Sequence, residues 1–235
     1  MITLHRILRP SLIVFDLDNT LYDYDKSNNF ATNMVVEGIA SHINIDSIEV
    51  KQKFDIARMN VKSRLGYTAS SHSRILYISE IYRLFGLKPD TELFLNLEEL
   101  FWASFLGKLE LFPGAMEFLD LIRESDITLA LVTDLTSSIQ YRKISKLGLN
   151  SYFDFILTSE EVGGDKSTGL PFEFLRRIYR TIPSGSWFIG DSKFDNPQGG
   201  DDQVVFFKKV TGETGWSQEN QFDFQRFDEI KLFLM

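Results

Sequence analysis

Two kinds of apolar pattern divide the chain. Leu12-Ile13-Val14-Phe15 is a short unbroken apolar run that stops at Asp16. A run of that length reads as a strand buried on both faces, the parallel-sheet kind. Thr128 to Val132, Phe153 to Leu157, Trp187 to Ile189 and Val204 to Phe207 behave alike. Helical spacing lies between these runs. Ala115 to Arg123 sets Phe118, Leu119 and Ile122 on one face, and Ser137 to Leu147 stops at Gly148. Phe172 to Tyr179 repeats the spacing with Phe172, Leu175 and Ile178. Strands alternating with helices predict βαβ units, hence an α/β fold built on a doubly wound parallel sheet.

Residues 23–110 break the alternation. Phe54, Ala57, Val61 and Leu65 recur at helical spacing, as do Ile75, Ile78, Tyr82 and Phe85. Leu93, Leu97, Leu100, Phe101 and Phe105 follow after Asp90, a predicted N-cap. The expected organisation is an α/β core from residues 1–22 and 111–235, interrupted by a helical cap at 23–110.

Composition narrows the class. Of 235 residues 43% are hydrophobic and 21 are Phe, enough for a large buried core and against a disordered chain. A net charge of -8 argues against nucleic acid, whose phosphates call for a basic face. The absence of Cys excludes disulfide scaffolds, thiolate zinc sites and cysteine nucleophiles. No apolar run approaches the roughly 20 residues that span a bilayer, so no membrane partner is expected. The N-terminal segment makes a poor signal peptide, and a cytoplasmic protein is the expectation. Nothing in the pattern sets an oligomeric state. The aromatic tail from Trp216 to Phe233 could cover a sheet edge or meet a second subunit.

In an open parallel sheet the ligand site lies beyond the carboxyl ends of the strands. The polar residues there are Asp16 and Asp18, Thr133 and Asp134, Asp191, then Asp195 and Asn196, with Lys166 in the loop after the third strand. Four carboxylates at one sheet end repel one another unless a cation joins them. Mg²⁺ is the natural partner, with Lys166 as a second positive charge. Taken singly, each feature has a plainer reading. Asp16 to Thr20 could be a turn or a calcium loop, but Leu21 stands where an EF-hand loop needs Gly. Gly163 to Ser167 lacks the spacing of a P-loop. Thr133 and Asp191 alone would be helix caps. The set taken together favours catalysis.

Phe15-Asp16-Leu17-Asp18-Asn19-Thr20 resembles the first motif of the haloacid dehalogenase-like hydrolases. Leu131-Val132-Thr133-Asp134 resembles their second motif, Ser159 to Gly163 with Lys166 the third, and Gly190 to Asn196 the fourth. The four occur in family order and cover essentially the whole chain. The resemblance implies a Rossmann-like core and a mobile helical cap. It implies Asp16 as nucleophile, forming an aspartyl-phosphate, and Asp18 as general acid and base. It further implies Mg²⁺ held by Asp16, the Asp18 backbone carbonyl and Asp191, with Asp195 or Asn196 in support. Thr133 and Lys166 would hold phosphoryl oxygens, and Asp134 stands beside them where Asn is common. Lys166 is followed by Ser167-Thr168-Gly169 rather than Pro. The implied activity is a Mg²⁺-dependent phosphatase acting on a small phosphorylated metabolite, a sugar phosphate or a nucleotide-like monoester. A phosphomutase would use the same Asp pair. A non-catalytic binding protein is the reading from another class, although its usual mark, a lost acid, is not seen at 16, 18 or 191.

The cap adds one charge signal. From Lys51 to Arg74 there are six basic residues and one acid, net +5, and Lys51, Arg58 and Lys62 share a helical face. A solvated helix face is the plainer reading. The sharper expectation is that Arg64, His72 and Arg74 contact an anionic or polyhydroxylated substrate.

Overall fold

In the computed structural model the described residues are 9–180, 182–197 and 204–234. The first eight residues, the front half of the segment judged against a signal peptide, lie outside that set. Strand β1 (Leu12–Phe15) is buried along its whole length. Its residues alternate between two apolar layers. Ile13 and Phe15 join the core that includes Phe118 and Phe227, and Leu12 and Val14 join the one with Phe172 and Phe188. Burial on both faces is what an unbroken apolar run allows and an alternating one does not.

Four helices follow: α1 (Tyr24–Ile43), α2 (Ser47–Leu65), α3 (Arg74–Leu84) and α4 (Thr91–Gly107). Three start on an Asp N-cap. Asp23 accepts from Lys26 N at 2.8 Å, Asp46 from Ile48 N at 2.6 Å, and Asp90 from Leu93 N at 2.9 Å. Phe54, Ala57 and Val61 of α2, Tyr77 and Ile81 of α3, and Leu97, Phe101 and Phe105 of α4 form their shared interior. Helices α1 and α4 approach closely at Gly38, where a Cβ would lie 2.9 Å from Leu97.

The chain then returns through α5 (Ala115–Arg123), β2 (Thr128–Thr133), α6 (Ser137–Lys146), β3 (Phe155–Thr158), the short α7 (Ser159–Val162), α8 (Leu170–Tyr179) and β4 (Trp187–Gly190). It closes with β5 (Val205–Lys209), β6 (Gly215–Gln218), β7 (Gln221–Phe224) and α9 (Phe227–Lys231). The sheet order is β3-β2-β1-β4-β5-β7-β6, parallel throughout except that β6 runs antiparallel to β7. This is an α/β fold with a mostly parallel sheet flanked by helices. The third strand begins later than its apolar run suggests. Asp154 instead turns its carboxylate to Leu129 N at 2.9 Å, fastening the start of β3 to β2.

The aromatic tail supplies an antiparallel edge that the apolar pattern did not predict. Strand β7 pairs with β5, and Trp216, Phe222 and Phe233 pack among themselves and against Phe207. Helix α9 meets α5 through Phe118 and Phe227, with ring centroids 5.5 Å apart. The tail therefore covers an end of the sheet of its own chain.

One backbone position at the sheet end leaves no room for a side chain. A Cβ added to Gly190 would collide with the Asp195 carboxylate, which folds back over the end of β4. Asp195 is held there, its Oδ2 accepting from Ser192 N at 2.8 Å, so it cannot swing aside freely. Overpacking of this kind costs about 1–3 kcal/mol. At roughly 2–4 °C per kcal/mol for a chain of this size, Gly190→Ala is expected to lower Tm by about 2–12 °C in thermal denaturation. An unchanged Tm would show that the turn yields without cost.

Candidate active site

The backbone places Asp16 before any side chain acts. Asp16 N donates to Ile189 O at 2.8 Å, which extends the β1–β4 pairing one residue past β1 and fixes Asp16 at the carboxyl edge of the sheet. The chain then turns sharply, with Leu21 N donating to Leu17 O at 3.0 Å and Asn19 in the left-handed region at φ 61. That turn brings the Thr20 hydroxyl back to Asp16 Oδ2 at 2.9 Å. Asp16 is only 5% exposed.

Three further loops converge on it. After β4, Ser192 to Asp195 close a capping box, with Asp195 receiving Ser192 N and Ser192 Oγ accepting from Phe194 N at 3.2 Å. Asp16, Asp191 and Asp195 thereby each offer a carboxylate oxygen within 4.8 Å of the others. After α7 a short 3₁₀ turn over Lys166–Thr168 carries the buried Lys166, whose ammonium pairs with both Asp16 and Asp195. Asp134, at the end of β2, accepts the Lys166 backbone N–H at 2.8 Å. It thus braces the lysine turn. The Thr133 hydroxyl, buried beside it, accepts from Gln140 Nε2 at 2.6 Å. Asn196 follows the 3₁₀ turn in extended backbone and makes no hydrogen bond with the described residues.

Asp18 stands apart from the three-carboxylate group. Lys143 Nζ donates to its two oxygens at 2.9 and 2.8 Å, and Tyr22 Oη donates at 2.6 Å. Lys143 is fully buried and lies near the rings of Tyr24 and Phe105, at 5.3 and 5.2 Å. A buried ammonium needs a partner, and Asp18 is that partner.

The electrostatics of the group are those of crowded, buried acids. Burial raises the Asp16 pKa well above the ordinary carboxylate value; Lys166 opposes this, while Asp195, Asp191 and Asp18 add to it. Burial and then Asp195 push Asp191 up to about 6. For Lys166, burial acts to lower the pKa, but Asp16, Asp195 and Asp134 prevail and keep it protonated. Three carboxylates thus face a single ammonium, with Asp16 and Asp195 buried and Asp191 partly exposed. Hard oxygen donors this close fit a divalent cation of the Mg²⁺ type, which would restore ordinary acidity to the acids it joins.

Above the group opens a cleft of about 530 Å³. Asp16, Asp18, Thr133, Asp134, Lys166 and Asp191 line one side of it, and Arg58, Lys62, Tyr67 and His72 of the helical insertion line the other. Of the three insertion residues expected there, His72 arrives, with Nε2 3.0 Å from Asp165 Oδ2. Arg64 does not. It points to Glu80 at 3.6 Å, because α2 turns that side of itself toward α3. Arg74 is buried inside the insertion, over the Phe101 ring at 4.7 Å and bonded to Tyr24 Oη at 2.8 Å. It lines a smaller cavity of about 80 Å³ behind the cleft rather than the cleft itself.

Several contributors were missed from sequence. Thr20 and Tyr22 stand beside the first Asp pair, but nothing local marks their hydroxyls as bound. Gln140 and Lys143 sit a helical turn apart on α6 and look like solvent-facing residues until α6 is packed. Arg58 and Lys62 carried a signal in their shared face, which the spacing alone did not aim.

The model of the haloacid dehalogenase-like hydrolase family matches residues 13–206. The chain is 34% identical over 180 residues to the ribulose-1,5-bisphosphate 5-phosphatase of Halopiger xanaduensis, covering 76% of this chain and 75% of that one. Among solved structures it resembles the HAD-hydrolase YfnB of Bacillus subtilis, bound to magnesium, with a TM-score of 0.66 at 18% identity over 97% of this chain and 99% of that one. It also resembles a 2-haloacid dehalogenase of Pseudomonas syringae, with a TM-score of 0.70 at 18% identity over 96% and 98% of the two chains. The structural likenesses share the fold, and the sequence matches span most of the core. The chain belongs to the haloacid dehalogenase-like hydrolases and is a hydrolytic enzyme.

Proposed function

We propose that the protein is a Mg²⁺-dependent phosphatase that hydrolyses a small phosphorylated metabolite through an aspartyl-phosphate on Asp16. The observation that carries this reading is the pairing of Asp16, in its three-carboxylate group, with a second carboxylate two residues on that stands outside that group. A dehalogenase has no leaving oxygen to protonate; a phosphatase does, and Asp18 lines the cleft beside Asp16, where it can serve that oxygen. The name of the Halopiger relative makes phosphorylated sugars the first substrate class to test.

In this mechanism an Asp16 oxygen attacks phosphorus in line, the bond from phosphorus to the ester oxygen breaks, and Asp18 gives that oxygen its proton. Asp18 then takes a proton from water as it attacks the aspartyl-phosphate, releasing inorganic phosphate and restoring Asp16. The Lys166 ammonium and Thr133 hydroxyl hold the equatorial oxygens as negative charge gathers on them. Asp134 keeps Lys166 in place, and Lys143 with Tyr22 orients Asp18. Asp16, Asp191 and Asp195 would hold Mg²⁺, which supplies charge neutralisation for the incoming phosphoryl group. Residues 23–110 act as a cap that closes the cleft and excludes water.

Three measurements test this. Wild type is expected to hydrolyse an aryl phosphate with Mg²⁺ and to stop in EDTA, and Asp16→Asn should lower kcat by at least about a thousandfold, the scale seen when a nucleophile is removed. Equal rates for both proteins would remove Asp16 as nucleophile. Transfer of the phosphoryl group to another hydroxyl without net phosphate release would mark a mutase. Since Asp191 is pushed up to about 6, a proton competes with the cation below that pH. The Mg²⁺ concentration for half-maximal rate should therefore rise by about tenfold per unit as pH falls below 6, and stay flat above it. A flat profile throughout would argue against Asp191 as ligand. Finally, Lys143→Met is expected to lower kcat by about tenfold to a hundredfold with a smaller change in KM, as misplacement of an acid does. An unchanged kcat would take Lys143 out of the reaction.

A further inference from the structure

On α2 the positions 51, 55, 58 and 62 share one face. Lys51 is neutralised by Asp55 at 2.7 Å. Arg58 and Lys62, one turn apart, are not neutralised, and neither is Arg74 behind them. Among the described residues no carboxylate lies within ion-pair distance of any of the three. Arg58 reaches the Tyr77 hydroxyl. Lys62 has its pKa lowered by partial burial and then by Arg58 and Arg74, so these cations crowd one another. The acids that act on Lys62, Asp165 and Asp134, already hold His72 and the Lys166 amide.

Arg58 and Lys62 line the cleft opposite Asp16 and Lys166. Arg58 also lines the smaller cavity behind, which continues the cleft past Tyr24 and His72. A second observation sits in that cavity. Thr32, 4% exposed, lines it, and its buried hydroxyl has no hydrogen-bond partner. A buried hydroxyl without a partner costs free energy unless something reaches it.

We propose that the cleft takes a substrate with a second phosphate, seated against Arg58 and Lys62 while the transferred phosphate lies at Asp16. This rests on the phosphatase reading above and names its substrate class, a short bisphosphorylated metabolite. Two formal positive charges match a phosphate dianion better than a singly charged carboxylate. The flat guanidinium of Arg58 binds phosphate oxygens in pairs, and the Lys62 ammonium adds a point charge. The helical insertion thereby selects by charge, and the core does the chemistry.

The test compares kcat/KM for a ketopentose bisphosphate, the matching monophosphate and a phosphorylated aldonate, in wild type, Arg58→Gln, Lys62→Gln and Lys62→Arg. Wild type should prefer the bisphosphate over the monophosphate by at least about tenfold, the scale of one charge-assisted contact. Each Gln variant should cut that ratio by about tenfold, and Lys62→Arg should keep it. Arg64→Gln, outside the cleft, should match wild type. Each ratio is taken within a single variant, so partial loss of folded protein does not alter it. No preference in wild type, or one that survives both Gln changes, overturns the proposal. An aldonate handled as well as the bisphosphate overturns the second phosphate in favour of a carboxylate. If wild type hydrolyses none of these esters or an aryl phosphate, the phosphatase reading fails and this inference with it; hydrolysis without preference sinks this inference alone.

Discussion

Lys166 sets one ammonium against Asp16 and Asp195 in a volume where neither carboxylate has more than 5% of its surface exposed. Burying ions this way costs several kcal/mol for each, and only close pairing with further hydrogen bonds offsets it. The surrounding loops exist in their observed form to supply those bonds. Thr20 satisfies Asp16, the Ser192 amide satisfies Asp195, and Asp134 holds the lysine by its backbone. Gly190 leaves the space into which Asp195 folds. The carboxylates still outnumber the ammonium, a balance that suits the cation proposed for the site.

A second buried ion pair links the two parts of the molecule. Lys143 belongs to α6 of the core, yet its ammonium lies among Tyr22, Tyr24 and Phe105, which come from the junction and from two helices of the insertion. Its partner is Asp18. Any movement of the insertion against the core therefore acts on the aromatic shell around Lys143, and through Lys143 on Asp18.

The buried strands of the parallel sheet and the acids at their ends were legible because both are local. An apolar run that stops at an Asp needs no knowledge of its neighbours to be read, and Asp16, Thr133 and Asp191 were found by it. Residues that enter from a helix were not legible. Lys143 and Gln140 are polar residues on α6, and only the packing of α6 beside β1 and β2 turns them inward. Arg64 illustrates the opposite error. Its charge and position resemble those of Arg58 and Lys62, but Arg58 to Arg64 spans six residues, roughly 600° at 100° per residue, so the two face different sides. The antiparallel β6–β7 edge was also missed, because Gly215 to Phe224 mixes polar and aromatic residues without a clean period.

By itself the sequence determined the fold class, the helical insertion between the first strand and the rest of the sheet, and the family, since these follow from apolar period and from motifs a few residues long. It also determined that carboxylates gather at one sheet end, because parallel strands share a carboxyl edge. Tertiary structure decided what each charge touches. Asp18 is held by Lys143 rather than joining the other acids, Asp134 serves the lysine backbone, Arg74 is sealed inside the insertion, and Arg58 and Lys62 make no ion pair among the described residues. Ion pairing depends on distances of a few ångströms between residues far apart in the chain, and only the packing of the elements sets those distances.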